Sequence, residues 1–190
     1  MSTWAISSSA RSLGPLVGVV ALLGAAPPLG AQITLQEAVD AAFPPPATVE
    51  RKTAYLSQAA LDSARAEAGP EAPVSQSVVS YYVGSRDGAP VGVAYFDSHR
   101  VRTVNEVLMI VVAPDDRIRE IEILRFAEPP EYRPPDRWLA QFDGQPLTPE
   151  LSLRGDIAMM TGATLTSNAV TRAARRVLAL HRRIRPFTNP

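Results

Sequence analysis

Glu106-Val107-Leu108-Met109-Ile110-Val111-Val112-Ala113-Pro114-Asp115-Asp116-Arg117-Ile118-Arg119-Glu120-Ile121-Glu122-Ile123-Leu124-Arg125-Phe126 reads as two strands joined by a turn. Glu106 to Ala113 is almost unbroken apolar sequence, the mark of a buried strand. Pro114-Asp115-Asp116 supplies the turn. From Ile118 to Phe126 the chain alternates. Ile118, Glu120, Glu122 and Leu124 oppose Arg119, Ile121, Ile123 and Arg125, so one face of this strand should be buried.

Upstream, Ser77 to Val83 is rich in Val and Tyr and reads as another strand. Arg86-Asp87-Gly88 is a turn signal, and Val91 to Phe96 returns as a strand with Val91, Val93 and Tyr95 on one face. Further upstream, Thr34-Leu35-Gln36-Glu37 is a capping-box pattern that opens a helix. That helix should run through Ala42 and stop before Pro44-Pro45-Pro46, with Leu35, Val39 and Phe43 on one face. Ser57 to Ala68 reads as a second helix, closed by Gly69-Pro70. It is rich in alanine and should pack loosely on the surface.

Downstream of the central pair, Glu128-Pro129-Pro130-Glu131-Tyr132-Arg133-Pro134-Pro135-Asp136 excludes helix and inner strand and should be a stiff surface loop. Arg137 to Phe142 fits one helical turn, closed by Asp143-Gly144. The last helix should begin near Thr166 and run to about Arg183. Val170, Ala173, Val177, Leu180 and Ile184 form its apolar stripe. Arg172, Arg175, Arg176, Arg182 and Arg183 read as a solvated face. The fold class that follows is α+β: a mainly antiparallel sheet covered by a C-terminal helix, with two N-terminal helices.

The N-terminus has a different character. Arg11 is its lone charge, Leu13 to Ala26 is apolar, and Leu29-Gly30-Ala31 puts small residues before a cleavage point. That is the layout of a secretory signal peptide over residues 1–31. The apolar run is shorter than the ~20 residues a spanning helix needs. Residues 32–75 then read as an N-terminal helical segment and 76–185 as the functional domain. The expected location is periplasmic or otherwise extracytoplasmic, with membrane association left open. Hydrophobic residues are 46% of the chain and charged residues 20%, which is enough for a packed core. The formal net charge is zero, so bulk charge does not recruit nucleic acid. The absence of cysteine excludes thiolate-held iron–sulfur clusters, c-type haem and a lipidated N-terminal cysteine. An electron-transfer role would need another cofactor, such as a flavin.

Met160-Thr161-Gly162-Ala163-Thr164-Leu165-Thr166-Ser167 leads straight into the last helix. Small residues admit close approach of a ligand, and a helix start offers unpaired N–H groups and the positive end of the dipole. Such a loop can seat a phosphate. Read from residue types alone, a plain strand-to-helix turn with Thr166 or Ser167 as N-cap is the favoured reading.

The run Thr161-Gly162-Ala163-Thr164 closely resembles the flavin-attachment loop of the FMN-binding domain family. That family includes flavin-bearing components of the sodium-translocating NADH:quinone oxidoreductase and of the Rnf electron-transport complex. The resemblance extends over roughly residues 76 to 184. It takes in Tyr82-Val83-Gly84, Asp87-Gly88, Val91-Gly92-Val93-Ala94, the central strand pair, and Trp138-Leu139-Ala140-Gln141-Phe142-Asp143-Gly144. It implies FMN as cofactor, joined by a phosphoester to Thr164. Thr161, Gly162, Ala163, Leu165 and Thr166 would hold the phosphate, and Glu128 would lie near the ring. It also implies a flavin transferase for maturation and membrane or periplasmic redox proteins as partners, in an electron carrier or accessory redox subunit. No catalytic or metal residue is expected.

Two positions depart from the family pattern. Ala158 stands where the family usually has Asp, six residues before the flavinylated Thr, with Asp156 nearby. The loop after the central pair is longer and richer in proline. The alternatives are a module that binds FMN without a covalent bond, and an exported interaction domain with no cofactor. His99, Arg100 and Arg102 lie in a charged stretch that reads either as a solvated loop or as an anion contact. Trp138 and Tyr132 suit either ring stacking or packing.

Overall fold

The central strand pair forms as expected and lies at one side of a five-stranded sheet. In the computed structural model, which describes Met1 and residues 34–188, the strands are β1 (Thr48–Tyr55), β2 (Val78–Arg86), β3 (Ala89–Val101), β4 (Val104–Val112) and β5 (Ile118–Arg125). They lie in the order β1-β2-β3-β4-β5, each antiparallel to its neighbour. The helices are α1 (Leu35–Ala42), α2 (Gln58–Ala68), α3 (Asp136–Leu139) and α4 (Thr164–Ile184). The fold is α+β. The leader expected over residues 1–31 lies outside the described residues, Met1 apart.

From Val107 onward β4 is apolar because both of its faces are covered. Leu108, Ile110 and Val112 pack with α2 and α4, whereas Met109 and Val111 pack with Ala38, Val39 and Phe43 at α1. β5 departs from simple alternation. Pairing slips between Val111 and Val112, where Val112 faces Ile118 and Val111 faces Glu120. The extra residue, Arg119, brings Ile118 onto the same buried face as Ile121 and Ile123. A similar slip at Gly84/Ser85 turns Val91 away from Val93 and Tyr95 and toward the α1 side.

α1 has the expected capping box, in which Thr34 and Glu37 bond reciprocally. Of the expected face, Val39 and Phe43 are buried but Leu35 is exposed. Phe43 lies over the paired glycines Gly84 and Gly92, and a Cβ on Gly84 would collide with its ring. The Arg119 guanidinium stacks on that ring, 4.9 Å from its centroid.

α2 does not sit loosely on the surface. Its Ala64 and Ala68 are fully buried in the main core, and their small side chains let it lie close against α4. Between α1 and α2 runs β1, a strand that sequence periodicity did not reveal. Its residues Thr48 to Arg51 are all exposed, so it carries almost no apolar alternation.

Of the α4 arginines, Arg172 is exposed as expected, but Arg175, Arg176, Arg182 and Arg183 are partly buried. Arg175 donates to the carbonyls of Ala68, Thr148 and Leu151, and Arg183 pairs with Glu67 at 2.7 Å. Arg176 makes two bonds to the carboxylate of Asp97, at 2.7 and 2.8 Å. These bonds tie α4 to α2, to the 147–151 loop and to β3.

Candidate functional site

The loop before α4 is held by the Trp138–Gln141 segment and by Ser167 of α4 itself. The Trp138 indole N–H donates to the Ala158 carbonyl at 2.6 Å, and Gln141 Oε1 accepts from the Ala158 amide at 2.8 Å. Two residues on, the Met160 amide donates to Ser167 Oγ at 3.2 Å, and that hydroxyl donates to the Ala163 carbonyl at 3.0 Å. Gly162 takes a φ of +81° with open space where a Cβ would stand, so glycine serves the backbone conformation here and not a close contact.

α4 starts at Thr164, two residues earlier than expected. Its N-cap is Ala163, and no side chain caps it. Thr166 and Ser167 lie inside the first turn, both buried, so neither acts as N-cap. An apolar cap leaves the first amides of a 21-residue helix without a side-chain acceptor. The positive end of the dipole therefore opens on Thr164, Leu165 and Thr166.

Thr164 itself is exposed, and its hydroxyl meets only Met159 Sδ, at 3.5 Å. Met159 and Leu165, each 51% exposed, flank it. Beside the loop lies a cleft of about 490 Å³. It is lined by Met160, Thr161 and Ala163 of the loop and by Glu131, Arg133, Pro135, Arg137 and Trp138 of the proline-rich segment and α3. Of the expected site residues, Thr161, Gly162, Ala163, Thr164, Leu165 and Thr166 are thus gathered at one helix start. Glu128 does not line this cleft. It is half-buried, with Oε1 unpartnered. The charged residues that do line it, Glu131, Arg133 and Arg137, were not singled out from sequence, because a proline-rich loop carries no periodicity that would orient its side chains.

A second cleft, about 520 Å³, lies on the other side of Arg133 and is acidic. Glu120, Glu122, Asp136 and Asp143 line it over an apolar floor that includes Ile121 and Leu139. Burial, and then the charge of Glu120, hold the carboxyls of Glu122 and Asp143 above their ordinary range.

The charged stretch from His99 is no solvated loop. β3 and β4 run on to a tight turn at Arg102-Thr103, with Arg102 at φ +50°. His99 bridges two buried carboxylates, Asp97 at 2.8 Å and Glu106 at 3.0 Å. Burial disfavours its charge, but the bonds to both carboxylates outweigh that and lift it to about 9. For Asp97, burial is likewise overcome by hydrogen bonds from His99 and Arg176, which hold it at about 2. Beyond this network the turn places the Arg102 guanidinium on the Tyr132 ring, 4.8 Å from its centroid. The hairpin thus braces the proline-rich loop that walls the first cleft.

The arrangement fits FMN. Unpartnered amides at a helix start suit a phosphate monoester, and a cleft partly walled by Trp138 and Pro135 suits a flat ring system. Residues 105–179 match the sequence profile of the FMN-binding domain. No curated protein and no solved structure matches the chain significantly. The matched span runs from β4 through most of α4 and contains both the helix start and the proline-rich wall. Residues 105–179 are thus similar to an FMN-binding domain, and that similarity indicates FMN as the cofactor.

Proposed function

We propose that this chain is an exported electron-carrying flavoprotein, with FMN joined by a phosphoester to Thr164. The observation that carries the reading is the position of Thr164. It is the first residue of α4, exposed, on a helix start with no side-chain cap. Attachment would form a bond between Thr164 Oγ1 and phosphorus, break the pyrophosphate of FAD and release AMP. The hydroxyl needs a base to take its proton, and its one neighbour here is a thioether. The base therefore belongs to a separate flavin transferase. When bound, FMN supplies one- or two-electron transfer; the chain's own residues bind it, orient it and shield one side of it.

The test is the intact mass of full-length protein co-expressed with a flavin transferase. The wild-type chain should gain the mass of FMN less water, and Thr164→Val should not. Retention of the added mass in that variant would remove Thr164 from the reading. Ala158 supports a second reading, non-covalent binding, in which flavin is present in the native protein but leaves on denaturation. Export is tested separately by the N-terminal sequence of the protein recovered from the periplasm, which should begin near Gln32.

A further inference from the structure

The cleft beside Thr161 has a charge that its proline-rich wall decides. Two guanidinium groups, Arg133 and Arg137, face one carboxylate, Glu131. They line the cleft together with the loop that leads into α4, whose dipole adds further positive potential. Arg137 is exposed and makes no ion pair with any described residue. Arg133 is committed elsewhere. Its guanidinium donates to the Ile123 carbonyl at 3.3 Å and lies 5.9 Å from the Phe126 ring centroid. It also lines the acidic cleft together with Asp136 and Glu122, which offset its charge. The wall itself is braced at Tyr132 by Arg102 and at Trp138 by the Ala158 carbonyl. The arginines therefore stand on a fixed segment.

We infer that Arg137, seconded by Arg133, is a flavin-binding residue that favours the reduced ring over the oxidised one. The inference rests on the reading above, that FMN occupies this cleft. Two electrons from an external reductant and one proton from water convert the neutral ring to a monoanion, with the negative charge centred on N1 and the adjacent carbonyl. A guanidinium beside that edge stabilises the anion and leaves the neutral ring almost unaffected. One such charge at a partly exposed site should shift the preference about ten-fold.

The experiment is a spectroelectrochemical titration, with dithionite as reductant, of the full-length FMN-loaded protein and its Arg137→Gln, Arg137→Lys and Arg133→Gln variants. Arg137→Gln should lower the preference for the reduced ring about ten-fold, equal to about 30 mV for a two-electron couple. Arg137→Lys should recover most of it, and Arg133→Gln should lose less than Arg137→Gln. Arg137 is exposed, so its variants should melt as the wild type does. An unchanged potential in Arg137→Gln with flavin still bound overturns the inference. So does weaker FMN retention at unchanged potential, which would put the guanidinium on the phosphate. A wild-type chain that takes up no FMN would sink the Thr164 reading as well; loss of the charge effect alone leaves that reading standing.

Discussion

Thr164 and Gly84 are two positions where one side chain decides much. Thr164 is exposed and bonds only to a sulfur, so Thr164→Val should change stability by no more than ~0.5 kcal/mol. Thr164→Ser should keep the hydroxyl and therefore the flavin mass. Equal melting temperatures with unequal mass would separate a chemical role from a structural one. Gly84 is the opposite case. A methyl group there meets the Phe43 ring, which is itself clamped by Arg119. Gly84→Ala should cost ~1–3 kcal/mol in urea unfolding, through overpacking at the α1 face. Neither residue's role is visible at its own position in the sequence. Thr164 was legible because its neighbours form a recognisable run, whereas Gly84 acquires its partner only when α1 folds over the sheet.

The β3–β4 hairpin and α4 are joined by the Asp97–His99–Glu106–Arg176 network. Arg176→Ala would leave the Asp97 carboxylate buried with only His99 beside it, at a cost of ~3–5 kcal/mol in denaturant titration. The network also sets a pH dependence. His99 is lifted from 6.5 to about 9, so its contribution is complete below pH 6.5 and is lost as pH rises through 9. Asp97 is lowered from 3.8 to about 2, so its contribution is present above pH 3.8 and is lost as pH falls through 2. Stability from this source should peak between those limits. It should fall by up to ~3 kcal/mol between pH 6.5 and 9, and His99→Gln should flatten that slope. A wild-type profile flat across that range would contradict the assignment. From sequence the stretch reads as a polar loop, because His99, Arg100, Arg102 and Glu106 crowd charge into a few residues. Burial came from α4, whose Arg176 lies 77 residues after His99 in the numbering.

Across the whole molecule, the two layers that cover the sheet explain which elements sequence could reveal. Capping of α1 by Thr34 and of α2 by Ser57, the turn at Asp87-Gly88, the central strand pair and the stripe on α4 are local. Each depends on side chains within a few residues of one another, so periodicity and turn chemistry determined them without reference to the rest of the chain. The small-residue run at Thr161–Thr164 belongs with these, since its glycine and its position before a helix are properties of the segment. β1 could not be found that way: an edge strand exposed along much of its length has no alternation to read, and only pairing with β2 makes it a strand. Tertiary structure also decided the bulges that moved Val91 and Ile118 between faces, the burial of α2, and the choice of Arg133 and Arg137 over Glu128 as the charged wall of the cleft. The physical reason is common to all of them. Local sequence sets backbone preference and the direction of each side chain, but which face is covered, and by which charge, depends on contacts between residues far apart in the chain.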